Sequence, residues 1–342
     1  MRFRSISIFF FKMHTKKLYI TILFSFSILL VSCGSDSSPE VSNIPVKVEI
    51  RRFEREIMAV KSKAELSDLL KKNEGYVKSL YRTFPDDTAF VSHLYYLTSH
   101  PETRKLYDQA QLTFGDLNEI KQQFESAFKH IKYYYPDFKE PKIMTTFTGL
   151  ENDIFVSDSL IIIALEAFIG QKALFRPNQP NYILRRYSAP YIVPTIVRFL
   201  SNSYNKIDSK DQSFLADMLF FGKSLEFTKT VMPDTPDSLI IGYSETQLID
   251  TWDAQDLIWA HFVDKKLLYE NNPTIKEKYF GERPNVIEIG PSCPGRIGQW
   301  VGWTIVKKYR TEKIDQTFQQ LMANSKALEI FNDSKYRGQT VD

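Results

Sequence analysis

Apolar side chains return every third and fourth residue through most of the chain, the spacing that lines one face of an α-helix. Between Ala64 and Leu80 the positions are Leu66, Leu69, Leu70, Tyr76, Val77 and Leu80, which predicts a helix there, and Phe90 to Leu97 repeats the spacing. Pro85 and Pro101 punctuate these segments, because proline has no amide hydrogen with which to continue a helix. After Gly115, Asp116 stands where an N-cap would, with Glu119 three residues on as in a capping box. Leu117, Ile120, Phe124, Phe128 and Ile131 then form one stripe that stops at Tyr133-Tyr134-Tyr135-Pro136.

In the middle of the chain the period shortens. Ile143 to Phe147, Ile154 to Val156 and Leu160 to Leu165 are short runs rich in β-branched residues, separated by Gly149-Leu150-Glu151-Asn152-Asp153 and by Ser157-Asp158. Those separators are turn chemistries, so the stretch predicts a small antiparallel sheet of three or four strands. Helical spacing resumes at Pro190 to Tyr204, Asp211 to Val231, Asp253 to Tyr269 and Gly298 to Tyr309. The expected fold class is mainly α with a small antiparallel β-sheet, an α+β fold.

One segment is denser than the rest. From Pro291 to Tyr309, Gly298 and Gly302 lie one helical turn apart, which lets a neighbouring backbone approach closely. Ile297, Val301 and Ile305 form one row beside them, and Trp300, Trp303 and Val306 another. A helix apolar nearly all round must be buried, and this one is too short to cross a bilayer. Arg296, after Gly295, is the residue of the segment that core packing does not explain, since a guanidinium there requires a carboxylate, a carbonyl cluster or a ligand anion. Gly295, Arg296, Gly298, Trp300, Gly302 and Trp303 are therefore the candidate contact or structural motif.

The N-terminus is patterned differently. Lys16-Lys17 precede a run from Leu18 to Val31 that is apolar apart from Tyr19, Thr21, Ser25 and Ser27, and Leu30-Val31-Ser32-Cys33 closes it. A basic region, an apolar core and a small residue before the cut make an export signal, and Cys33 directly after the small residue is the thiol to be acylated. Fourteen residues fall short of the roughly 20 that a transmembrane helix needs. Residues 1–32 are thus expected to be a lipoprotein signal peptide, 33–46 a Ser- and Pro-rich tether, and 47–342 a single globular domain.

Charge and cysteine content follow from that division. Of the 44 Lys and Arg residues, five precede Cys33 and no acid does, leaving 39 bases against 41 acids. A body so balanced, with no basic block, has no electrostatic footprint for nucleic acid. Once Cys33 is acylated, Cys293 has no partner, and a buried small apolar role suits it better than a nucleophile's.

Catalytic signatures are missing. His93, His100, His130 and His261 follow the signal segment, and none stands in His-Glu-x-x-His or another spacing that brings two imidazoles to one metal. His261 lies on an apolar stripe with Leu257, Ile258 and Phe262, and His130 sits near the end of a helix, where a cation suits the macrodipole. Asp253 and Asp256 read as the N-cap and first-turn acid of a helix. Neither a nucleophile elbow, a phosphate loop nor a dinucleotide fingerprint occurs, so no catalytic residue, metal or cofactor is assigned.

Several stretches, taken in order, resemble the gliding-motility lipoprotein B (GldB) family of Bacteroidota. They are Ile50 to Glu54, Ala127 to Pro136, Tyr182 to Arg186, Met218 to Lys223, Ile241 to Ser244, Pro294 to Tyr309 and Ile330 to Tyr336. A departure falls at Ala254-Gln255, where the family pattern carries Asn-Glu. The resemblance implies an envelope lipoprotein required for gliding, working with type IX secretion and other envelope proteins, and it implies no established catalytic residues. A fainter resemblance is to a group of predicted zinc peptidases. Where their helices carry His-Glu-x-x-His and a later Glu-Gly, Tyr191 to Leu200 has no histidine and Phe221-Gly222 no glutamate, so the scaffold would be a degenerate one. Two function classes follow: a non-catalytic protein, membrane-anchored through its N-terminal lipid and facing the periplasm, with the outer membrane favoured, or an envelope hydrolase with an unrecognised site.

Overall fold

The computed structural model describes residues 38–338; the expected signal segment and the acylation site at Cys33 lie outside the described residues. The folded body begins at Val41. The α+β class is as expected. Four short strands, β1 (Ile50–Arg52), β2 (Lys142–Thr146), β3 (Ile154–Val156) and β4 (Leu160–Ala164), make one sheet in the order β1-β2-β4-β3.

The sheet is mixed and not antiparallel throughout, which corrects the sequence expectation. β1 runs parallel to β2 and β2 parallel to β4, with Ile143 opposite Ile161, and only the β3–β4 pair is antiparallel. The reason lies in β4: Ile161, Ile162 and Ile163 are all fully buried. Such a continuous apolar run needs cover on both faces, so β4 takes an inner position and half-buried β3 is left at the edge. The chain from Gly149 to Asp153 therefore carries β3 to the far side of β4 instead of closing a hairpin on β2.

Alternation along the strands divides the core. Ile143, Ile161 and Ile163 face the large helical body, whereas Met144 and Ile162 face a smaller cluster with Phe53, Ile57, Leu66, Leu70 and Val77 from the N-terminal helices. Period-two alternation thus places a helical layer on each side of the sheet.

Helix boundaries moved where local hydrogen bonding outweighed periodicity. The stretch expected as one helix from Ala64 is two, Lys63–Lys71 and Glu74–Tyr81, because the Asn73 side-chain amide donates to the Leu69 carbonyl at 2.8 Å and turns the chain. Leu117 is buried in a left-handed conformation with φ 65°, so the next helix, Asn118–Tyr134, starts one residue late and lacks the capping box. Asp253 is not an N-cap. It ends the helix Glu245–Asp253, which opens with a Ser244–Gln247 capping box, and a second helix, Gln255–Asp264, follows.

At the centre of the large body, the central helix Phe214–Val231 packs against the glycine helix Ile297–Glu312. Every residue from Ile297 to Val306 is buried, as an all-round apolar helix requires. A Cβ on Gly302 would overlap the Met218 carbonyl and one on Gly222 the Gly302 carbonyl, so the two backbones touch. Gly298 is needed for a different neighbour, the Phe280 ring, 2.6 Å from where its Cβ would be. Trp300 meets Trp252 edge-on at 4.9 Å, and Trp303 Nε1 donates to buried Glu226 at 2.7 Å, with Arg310 as the second partner of that carboxylate. No helix among the described residues is long and apolar enough to cross a membrane.

Candidate functional site: an arginine-lined cleft

Arg296 finds its partners at the mouth of the glycine helix. It precedes that helix in a left-handed conformation (φ 62°) and is 7% exposed, so its guanidinium points inward. There Nη2 donates to the Gly242 carbonyl at 3.2 Å and Nε lies 3.5 Å from a Glu282 carboxylate oxygen. Gly242 caps the short helix Asp237–Ile241 at φ 76°, leaving a carbonyl that also accepts from Arg185 Nη2 at 2.7 Å. Just upstream of Arg296, the Gly295 carbonyl accepts from the Tyr243 hydroxyl at 2.8 Å, while its Cα is pressed against the backbone of Arg283.

Two more arginines reach the same place. Arg186, after the one-turn helix Asn181–Leu184, pairs with Glu282 at 2.7 Å. Arg198 comes from the helix Ile192–Leu200 and donates to Gln299 Oε1 at 2.7 Å, and the Gln299 amide in turn donates to the Phe280 carbonyl at 2.9 Å. Together with Thr195, Phe199 and Phe221, these groups line a cleft of about 280 Å³.

The charges in the cleft do not balance. Among the described residues that line it, Arg186, Arg198 and Arg296 face one carboxylate, Glu282, which pairs with the first and last of them. Burial, then Arg296 and Arg186, push Arg198 down to about 9, and burial and Arg186 also lower Arg296. Both stay charged at neutral pH, and a downward shift means that another negative group would be welcome there. The Arg185 Nε is buried with no hydrogen-bond partner.

The histidines and Cys293 lie elsewhere in the fold, in local contacts of their own. His130 Nδ1 is bonded to the Ser126 carbonyl one turn back at 2.9 Å, so the ring is tied to its own helix. His261 is half-buried and bonded to the Tyr279 hydroxyl at 3.0 Å, its pKa lowered by burial and by Lys265. His93 pairs with Glu151 at the surface at 2.5 Å. Cys293 is buried, which pushes its thiol up to about 12, far from a nucleophile's range. Among the described residues no group of three or more His, Cys, Asp or Glu side chains is placed to hold a metal.

Sequence reasoning singled out Arg296 and missed Arg198, Glu282 and Gln299. The available signal was Arg198 itself, a charge on a helix where Ile192, Val193, Ile196, Val197 and Leu200 are buried. Glu282 gave none, because an acid in a loop is ordinary until its neighbours are known. Both segments that the peptidase resemblance aligns with metal-bearing helices, around Thr195 and Phe221, border this cleft, and what they bring to it is a guanidinium and an aromatic ring.

The family described as gliding motility protein GldB matches residues 34–338, nearly the whole chain. No curated protein and no solved structure matches.

Proposed function

The chain belongs to the GldB family of gliding motility proteins, which makes it a gliding-motility-associated envelope protein, and from that premise we propose that it acts without catalysis, through contacts with other envelope proteins of the gliding and type IX secretion apparatus. In this reading Cys33 carries the acyl chains, residues 33–46 are the tether, and the body faces the periplasm, with the outer membrane favoured by the lack of a retention signal after Cys33.

One observation carries the proposal: the polar groups of the cleft are guanidiniums and other hydrogen-bond donors for the most part, and the single acid among its described lining residues is engaged by two of them. A hydrolase needs a free base beside a nucleophile or metal-bound water. A cleft of held cations offers charge recognition instead.

Two measurements test this. Labelled fatty acid should enter the wild-type protein and not Cys33→Ala, and the variant should leave the membrane fraction; no label in the wild type would refute the anchor. The full chain purified in detergent should carry no stoichiometric zinc, and near-stoichiometric zinc would revive the envelope hydrolase.

A further inference from the structure

We propose that the arginine cleft is a receptor for one carboxylate borne by an apolar-flanked peptide segment of a partner protein, with Arg198 as the group that takes the charge. This inference rests on the contact reading above and names the chemistry of the contact.

Arg198 is the cation of the cleft without an acid. Among the described residues its hydrogen bond is to the neutral Gln299, and its guanidinium carbon stands 5.8 Å from the Phe221 ring centroid. A guanidinium has five N–H donors arranged as a fork that fits a carboxylate two at a time. Glu282 shows that a carboxylate is accepted in this cleft, one oxygen pairing with Arg186 and the other with Arg296, and neither of those guanidiniums takes both oxygens. Removing a positive charge from water is costly unless it is paired, and an incoming carboxylate supplies the pairing that Arg198 lacks.

Size and walls select the bearer of that carboxylate. At about 280 Å³ the cleft is at or below the low end of the roughly 300–1,000 Å³ usual for whole small-molecule ligands, which suits one or two side chains of a peptide. Its walls are aromatic and aliphatic, Tyr191, Phe220, Phe221 and Leu239, and Phe199 stands 54% exposed beside them. An acidic residue next to an apolar one satisfies both the guanidinium and these walls. A free phosphate would use the charge and leave the apolar surface wet.

Glu282 is the resident competitor. Its side chain is 43% exposed, on the loop after the helix Pro273–Phe280, and it is held by Arg186 and Arg296. Neutralising it raises the net charge of the cleft, releases Arg186 and Arg296 from their ion pairs and removes the through-space attraction that Arg198 now feels, so the two sites move affinity in opposite directions.

The test is calorimetric titration of the full chain in detergent with the blocked peptide N-acetyl-Leu-Phe-Asp-amide, its Asn counterpart, and inorganic phosphate. The Asp peptide should bind at least tenfold more tightly than either of the others. Arg198→Gln should weaken it about tenfold or more and Glu282→Gln should tighten it several-fold, with both variants keeping the wild-type circular dichroism. Equal binding of the Asp and Asn peptides, phosphate outcompeting the Asp peptide, or both variants shifting affinity the same way would overturn the inference. An Arg198→Gln protein that fails to fold leaves the Glu282→Gln gain as the deciding result: no gain sinks the proposal. The peptide should be recovered intact; bound but cleaved peptide would leave the receptor standing and sink the non-catalytic reading, whereas an absence of binding would sink the receptor alone.

Discussion

Replacing Gly302 by alanine tests the packing that holds the large body together. Helix propensity alone favours the change by about 1 kcal/mol. The structure opposes it, because the new methyl group would sit on the Met218 carbonyl of the central helix, and a backbone carbonyl cannot rotate away as a side chain would. The two helices must part along a face that includes Met218, Leu219, Trp303 and Ile305, all buried. If parting re-exposes about 100 Å² of apolar surface, the loss is about 2.5 kcal/mol at 25 cal/mol/Å². The net destabilisation is then about 1.5 kcal/mol, or a fall in Tm of about 2–3 °C for a chain of this size. Gly302→Leu should cost more, and gliding should decline with the amount of folded protein. The internal control is Gly75→Ala: that glycine lies in the helix Glu74–Tyr81 with nothing within 4 Å of a Cβ. It should gain about 0.4–1 kcal/mol by restricting the unfolded chain. Thermal unfolding of the wild type and the three full-length variants in detergent, followed by near-UV circular dichroism, gives the comparison. A Gly302→Ala protein that melts at or above the wild type would refute the close-contact argument, and a Gly302→Leu strain with normal protein levels and no gliding would make the segment a contact surface instead.

Glu166, fully buried after β4, accepts from the Thr148 amide at 2.6 Å and the Thr148 hydroxyl at 3.0 Å through one oxygen while its other oxygen has no partner, and burial pushes its pKa up to about 7 from 4.5. Between those two values the folded state holds a proton that the unfolded state has released, so stability is fully present below about 4.5 and falls, by about 3 kcal/mol in all, as pH rises towards 7; Glu166→Gln should flatten that slope in denaturant titrations from pH 4.5 to 8, and an unchanged slope would mean that another group produces it. His130→Ala and His261→Ala should reduce gliding only as far as they reduce folded protein, because each ring is bonded locally, to the Ser126 carbonyl and the Tyr279 hydroxyl. An abundant, folded variant of either that binds less metal and cannot glide would contradict the non-catalytic proposal.

Much of the architecture is legible along the chain because burial imposes a period. The stripe from Ile120 to Ile131 reads as a helix face, the β-branched run of β4 as a strand, and Ile297 to Val306 as a buried helix, and each is found so. The family, too, can be read from local stretches in order, and residues 34–338 match it. Strand direction cannot be read this way. Turn residues mark where β2 ends, but whether the next strand pairs with it depends on which strand most needs two neighbours, and that is decided by the whole sheet. The cleft is less legible still. Arg186, Arg198, Glu282 and Arg296 are spread over a hundred residues of chain; Arg296 and Arg198 stand out against apolar neighbours, but nothing local says that they meet. Their meaning comes from three guanidiniums lining one cleft with a single carboxylate, which pairs with two of them. Electrostatic energy depends on distance and solvent exposure, and both are set only when the helices that carry those charges have packed.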